Sequence, residues 1–182
     1  MCGHAEEATK ELDVTNAKNP IRRSLVPTPG NVEAMVEKAR SFPVDVLMLD
    51  LEDGVPNTNE AKARARSVLG KALKTSSFAA REKAIRINGP QTTWFMEDLA
   101  FVAKLDIETV VIPMVRDAQD MMVTERALTS FGAPASLGVM LLIETPAAIL
   151  NLHDIVKASP RTNGLIAGAT KLVSARSVTI IS

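Results

Sequence analysis

Six short apolar runs, each separated from the next by a stretch of helical period, constrain the fold of this chain more than any other feature. They are RSLVP (Arg23 to Pro27), VDVLMLDLE (Val44 to Glu52), KAIRIN (Lys83 to Asn88), ETVVIPM (Glu108 to Met114), SLGVMLLIE (Ser136 to Glu144) and GLIAG (Gly164 to Gly168). Several are apolar on consecutive residues instead of alternating, as expected of parallel strands covered on both faces. Strands that alternate with helices in this way predict βαβ units around a parallel sheet.

The intervening stretches carry their own signals. Val32, Met35, Val36 and Ala39 fall at i, i+3, i+4 and i+7, with Asn31 placed to cap the helix they predict. Ala61, Ala65, Val68, Leu69, Ala72 and Leu73 repeat the pattern behind Thr58 and Asn59 as capping candidates. Thr145-Pro146 reads as a cap followed by proline at the first helical position, with Ile149, Leu152, Ile155 and Val156 on one face. Two weaker helices are expected around Asp98 to Val102 and Ala118 to Leu128.

Six β/α units suit either an open doubly wound sheet or most of an eight-fold barrel, and periodicity does not choose between them. A complete (β/α)8 barrel takes about 250 residues, so in that reading two strands lie beyond these 182 residues. The sequence divides into a polar arm over 1–20, the β/α region over 21–168 and a tail over 169–182 that does not resemble further β/α units.

Charge and cysteine content exclude several classes of function. With 21 basic and 21 acidic residues there is no electrostatic footprint for nucleic acid. The arm lacks the apolar core of a signal peptide, and no apolar run approaches the roughly 20 residues that span a bilayer, so a soluble cytoplasmic protein is expected. A single cysteine, Cys2, forms no internal disulfide, and His4 and His153 stand too far apart for a zinc set.

In both architectures ligands bind at the carboxyl ends of the strands. The second run closes on Asp50, Glu52, Asp53 and Gly54, the third carries Arg86 and Asn88, and the fifth ends in Glu144 and Thr145. Carboxylates and an arginine in such places suit a hard cation and a carboxylate substrate, because magnesium takes oxygen ligands and arginine binds carboxylates through two parallel bonds. Plainer readings stand beside these. Glu144 precedes a helix start and would favour its positive end, Asp53-Gly54 would serve as a turn, and Arg86 would be buried in a structural ion pair. His153 reads as a solvated surface residue and Cys2 as incidental.

The succession RRSLVPTPGN, VLMLDLEDGVP, AIRINGP with Trp94 shortly after, VVIPMV, LLIETPAAILN and PRTNGLIAG resembles the citrate lyase β-subunit and malyl-CoA lyase family, the HpcH/HpaI aldolases, from about Arg22 to Gly168. The resemblance implies a TIM barrel, (β/α)8, of which this chain holds about six units. It implies homo-oligomers, trimers or larger, and magnesium-dependent cleavage of citryl, malyl or citramalyl thioesters, on CoA or an acyl carrier, to an oxo acid and an acyl thioester. It further implies that Glu144 binds magnesium, that Arg86 grips the oxo-acid carboxylate, that Glu52 and Asp53 act around the metal and its waters, and that backbone near Gly168 touches substrate.

Two positions depart from the family. Its second metal-binding aspartate falls where this chain has Lys171, which removes a ligand and adds repulsion. Its fourth-strand Pro-Lys is Pro113-Met114 here. The sequence therefore also admits a non-catalytic barrel fragment that associates with complete subunits or has no function, and an aldolase of similar barrel acting on free oxo acids.

Overall fold

In the computed structural model, which describes residues 21–75 and 77–168, six strands form one parallel sheet. They are β1 (Leu25–Pro29), β2 (Val46–Asp50), β3 (Glu82–Arg86), β4 (Thr109–Ile112), β5 (Gly138–Ile143) and β6 (Thr162–Ala167). Between them run α1 (Glu33–Ala39), α2 (Asn59–Thr75), α3 (Phe95–Val102), α4 (Ala118–Ser130), α5 (Pro146–Leu150) and α6 (Leu152–Lys157). Each strand pairs with its neighbour in sequence, in the order β1-β2-β3-β4-β5-β6. A doubly wound sheet reverses its strand order at a switch point, whereas a barrel adds strands in succession. The order therefore selects the barrel-type fold, and across the described residues the barrel is not closed.

Local chemistry starts three of the six described helices where the sequence marks them. The Thr58 hydroxyl accepts the Ala61 N–H at 3.2 Å ahead of α2, Asp117 accepts from Asp120 at the start of α4, and Thr145 accepts from Ala148 with Pro146 opening α5. Three expectations shift. Asn31 does not cap α1: the helix begins from the Val32 carbonyl, which accepts Met35 and Val36 N–H groups, and no side chain caps it. Only Val36 and Ala39 of its apolar set are buried, while Val32 and Met35 are exposed. The helix after Thr145 is broken in two at Asn151, whose side-chain amide donates to the Arg116 carbonyl, so Ile155 is buried and Ile149 is exposed. Finally, α3 starts three residues earlier than the sequence indicates, because Phe95 packs inward and brings Asp98 with it into full burial.

The apolar residues fall into two clusters, one on each face of the sheet. Leu47, Leu49, Ile85, Val110, Ile112, Val139 and Leu141 pack beneath the helices against residues such as Val36, Leu69, Leu99 and Leu128. Val46, Met48, Ala84, Val111, Met140 and Leu142 turn to the other, inner face, with Leu25 and Ile166 against them. Burial on both faces explains why every residue of β2, β4 and β5 is buried and why their sequences do not alternate.

The inner face is layered. Next to the strand starts, Arg22 grips the Glu82 carboxylate at 2.7 and 3.0 Å and donates to the Asn163 carbonyl of β6 at 2.9 Å. Thr109 and the Asn163 amide complete that polar layer. The apolar cluster lies above it, and charged residues close the strand ends.

Candidate functional site

β2 and β3 pair with Asp50 opposite Arg86, so the register itself sets a carboxylate beside a guanidinium at the strand ends. Asp50 is 2% exposed and takes four donors on two oxygens. Its Oδ1 accepts Arg86 Nε and the Glu52 N–H, both at 2.8 Å. Its Oδ2 accepts Arg86 Nη2 at 2.6 Å and the Gly54 N–H at 2.8 Å. The remaining end of the guanidinium, Nη1, lies 3.0 Å from Glu52 Oε2 and 3.5 Å from Asp53 Oδ2. Three carboxylates thus surround one guanidinium. Burial works against the charge on Arg86, but Asp50, Glu52 and Asp53 more than offset it, and its pKa is raised.

The loop that carries Glu52 and Asp53 is a turn, with the Val55 N–H bonded to the Glu52 carbonyl at 3.1 Å. The turn reading of Asp53-Gly54 therefore holds together with the placement of both carboxylates beside Arg86. Glu52 is buried and the Asp53 side chain is half exposed.

Glu144 follows β5 on the same inner face. The pairings run Arg86 to Val111 to Met140, and Met140, Leu142 and Glu144 alternate onto one side. Glu144 is 4% exposed, and its Oε1 accepts the Met114 N–H at 3.0 Å. That bond is aimed by a left-handed backbone at Met114, φ 56°. Gly168 extends the ladder by donating its N–H to the Ile143 carbonyl at 2.9 Å. A Cβ at Gly168 would stand 2.6 Å from Glu144 Cβ and 3.2 Å from Oε2, so only glycine leaves room over this carboxylate.

Arg86, Glu52 and Asp53 are thus brought into contact, while Glu144 and Gly168 adjoin each other two and three strands away on the same face. Among the described residues no three His, Cys, Asp or Glu side chains converge as a metal-binding group. Magnesium often needs only one or two protein carboxylates, with water and substrate completing its shell. The cradle over Glu144 left by Gly168 is compatible with that requirement, with Glu144 as the candidate carboxylate among the described residues. Lys171 lies outside the described residues, as do Cys2 and His4. His153 is exposed, and no helix of the described residues is long and apolar enough to cross a membrane.

Sequence reasoning grouped Asp50 with the strand-end carboxylates suited to a cation but did not pair it with Arg86, because only the β2–β3 register reveals that it faces Arg86. It passed over Lys62 altogether. The ammonium of this fully buried residue in α2 donates to the carbonyls of Leu51, Glu52 and Val55 at 2.7, 2.8 and 3.2 Å. The available signal was its position one helical turn ahead of the buried Ala65 and Arg66.

Residues 23–177 match the sequence model of the HpcH/HpaI aldolase/citrate lyase family. A (3S)-malyl-CoA thioesterase of Cereibacter sphaeroides is 33% identical over 150 residues, covering 82% of this chain and 50% of the relative. A citrate lyase subunit beta of Leuconostoc mesenteroides is 33% identical over 154 residues, with the same coverage of 82% and 50%. Among solved structures, the citrate lyase beta subunit of M. tuberculosis complexed with oxaloacetate and magnesium superposes with a TM-score of 0.65 at 26% identity, covering 82% of this chain and 59% of that one. This chain spans about half the length of the curated relatives it matches.

Proposed function

We propose, from the premise that this chain belongs to the HpcH/HpaI aldolase/citrate lyase family, that its strand ends form part of a carbon-carbon lyase site for acyl thioesters of 2-hydroxy acids. The observation that carries this reading is the placement on one inner face of a partly buried guanidinium, Arg86, and a buried carboxylate beside a glycine cradle, Glu144. The citrate lyase beta subunit that resembles this chain holds oxaloacetate and magnesium, and a further M. tuberculosis structure at 27% identity and a TM-score of 0.64 holds magnesium, acetoacetate and coenzyme A. Those ligands support an oxo acid and a CoA thioester as the two fragments.

In this reading Arg86 orients the oxo-acid carboxylate through Nη1, because Asp50 already occupies Nε and Nη2. A substrate carboxylate approaching Nη1 displaces the half-exposed Asp53 more readily than the buried Glu52. Holding the carboxylate fixes the adjacent carbon-carbon bond relative to the site and removes rotational freedom from the reaction. Glu52, still beside the guanidinium, is placed to take the proton of the substrate hydroxyl as the carbon-carbon bond breaks and its electron pair passes to the thioester enolate, which is then protonated to the acyl thioester. Glu144 would hold magnesium, which when bound supplies positive charge at the carbonyl oxygen of the departing oxo acid.

The test is calorimetric and kinetic. The full chain is titrated with magnesium and oxaloacetate, then offered malyl-CoA and citryl-CoA, with free oxo acids as a comparison panel. Appearance of an oxo acid and an acyl thioester identifies carbon-carbon cleavage, whereas free hydroxy acid and CoA identify thioester hydrolysis, the reaction for which the Cereibacter relative is named. Glu144→Gln is expected to abolish magnesium-dependent binding and Arg86→Ala to weaken oxaloacetate binding by about 10-fold or more, as loss of a charged hydrogen-bonding partner does. Unchanged magnesium dependence in Glu144→Gln rules out its role. A second reading is favoured by Lys171: a lysine at the family's second metal position lowers magnesium affinity and makes this chain a non-catalytic associate of complete subunits. Titrations without magnesium binding and without turnover on any substrate of the panel would establish it.

A further inference from the structure

The loop bearing Glu52 and Asp53 is held from two sides by opposite charges. On its inner side the Glu52 and Gly54 N–H groups point to the Asp50 carboxylate. On its helix side the carbonyls of Leu51, Glu52 and Val55 point to the Lys62 ammonium. An ammonium has three protons, and all three are used here on one five-residue segment. Nothing in packing alone calls for a lysine at this place. A fully buried charge is costly unless its protons are satisfied, and an apolar side chain would fill the volume more cheaply.

The surroundings are built to keep the charge. The Trp94 ring lies 5.2 Å below the ammonium. Burial lowers the Lys62 pKa, while the carboxylates of Asp50, Asp98, Glu52 and Asp53 act in the opposite sense. Asp98, itself fully buried, is fixed by Arg66 of α2 and accepts the Asn88 N–H and side-chain amide. One turn of α2 is thus connected both to the loop after β2 and to the segment after β3.

We propose that Lys62 is a positioning residue for the site: through three carbonyl bonds it fixes the Leu51–Val55 turn so that Glu52 and Asp53 meet Nη1 of Arg86. The proposal rests on the lyase-site reading for its functional consequence, but its structural half stands independently. It assigns to α2, which contributes no group to the inner face, control over how a ligand carboxylate exchanges with Asp53. When Lys62 is neutral or absent, the turn loses its anchor on the helix side while Asp50 continues to hold the inner side.

The experiment uses the full chain as wild type, Lys62→Met and Lys62→Gln, where glutamine keeps a neutral donor. Amide hydrogen exchange is followed over the turn and over β4 and β5, and oxaloacetate binding with magnesium is measured by calorimetry. The expected result is exchange in the turn faster by about 10- to 100-fold in Lys62→Met, as loss of hydrogen bonds from a charged donor implies. Lys62→Gln is expected to fall between, protection of β4 and β5 to stay unchanged, and the Kd for oxaloacetate to rise about 10-fold or more in Lys62→Met. Unchanged exchange in the turn overturns the proposal. So does equal loss of protection across turn and strands in both variants, which marks a residue needed only for folding. If wild type binds no oxaloacetate, the lyase-site reading fails, and the exchange result alone then decides whether Lys62 sets the turn. If wild type binds and Lys62→Met binds equally well, the positioning role fails while the lyase-site reading survives.

Discussion

Asp50→Asn changes one oxygen to an amide nitrogen at constant size, and the four donors around Asp50 make its cost calculable. With the amide on one side, its N–H groups face Arg86 Nη2 and the Gly54 N–H; on the other, they face Arg86 Nε and the Glu52 N–H. Either orientation breaks two bonds and opposes donor to donor. Hydrogen bonds to a charged group contribute about 1.5–3 kcal/mol each, and breaking a buried ion pair from one side costs about 3–5 kcal/mol, so a loss of about 4 kcal/mol follows. With a urea m-value of about 2 kcal/mol/M, the unfolding midpoint should fall by about 2 M. Asp53→Asn is the comparison, since its side chain is 54% exposed and 3.5 Å from Nη1. A surface pair of that kind is worth about 0–1 kcal/mol, a midpoint shift below about 0.5 M. Urea titrations of the two variants against wild type test the reasoning. An Asp50→Asn midpoint within about 0.5 M of wild type would falsify it, because the four-donor arrangement would then contribute no more than an exposed pair.

Gly168→Ala should cost about 1–3 kcal/mol by forcing β6 away from Glu144, and should weaken magnesium binding more than Arg86→Ala does; denaturation and calorimetry of the same variant check both. Glu125, partly buried but bonded to Ser159 and Arg161, is held below the ordinary carboxyl value of 4.5. Its contribution is therefore present above that value and is lost as pH falls through the lowered one. Glu125→Gln should destabilise at pH 7 by an amount that shrinks steadily below about pH 4.5, and a difference independent of pH in paired melts would contradict this.

The strands, the capped helices and the candidate residues were legible because each is written locally. Consecutive apolar residues such as Val46 to Leu49 mark a strand covered on both faces, and Thr145-Pro146 marks a helix start. Periodicity alone did not give the strand order, since it is the same in a barrel and in a doubly wound sheet; the family motifs implied the barrel, and the pairing of each strand with its sequence neighbour bears that out. Arg86 showed itself as a charge inside an apolar run, yet its main partner depends on a register 36 positions apart, which no local pattern encodes. Lys62 was hidden for the opposite reason. On an amphipathic helix lysine ordinarily reads as solvated, and its burial arises from three backbone carbonyls that have no signature in side-chain sequence.

Arg22 stands three residues ahead of β1, yet its guanidinium bonds the backbone of β6, 141 positions later. Six strands laid flat at about 4.8 Å spacing would separate the outer two by about 24 Å, far beyond one side chain. The bond therefore measures the bend of the sheet, and Glu82 on β3 anchors the same guanidinium from within the arc. In an arch, a tie across the base sets the span at the crown. Arg22 is such a tie: any force that spreads the far ends of β3 and β5, where Arg86 and Glu144 stand, is resisted at the opposite end of the strands by a residue that touches neither.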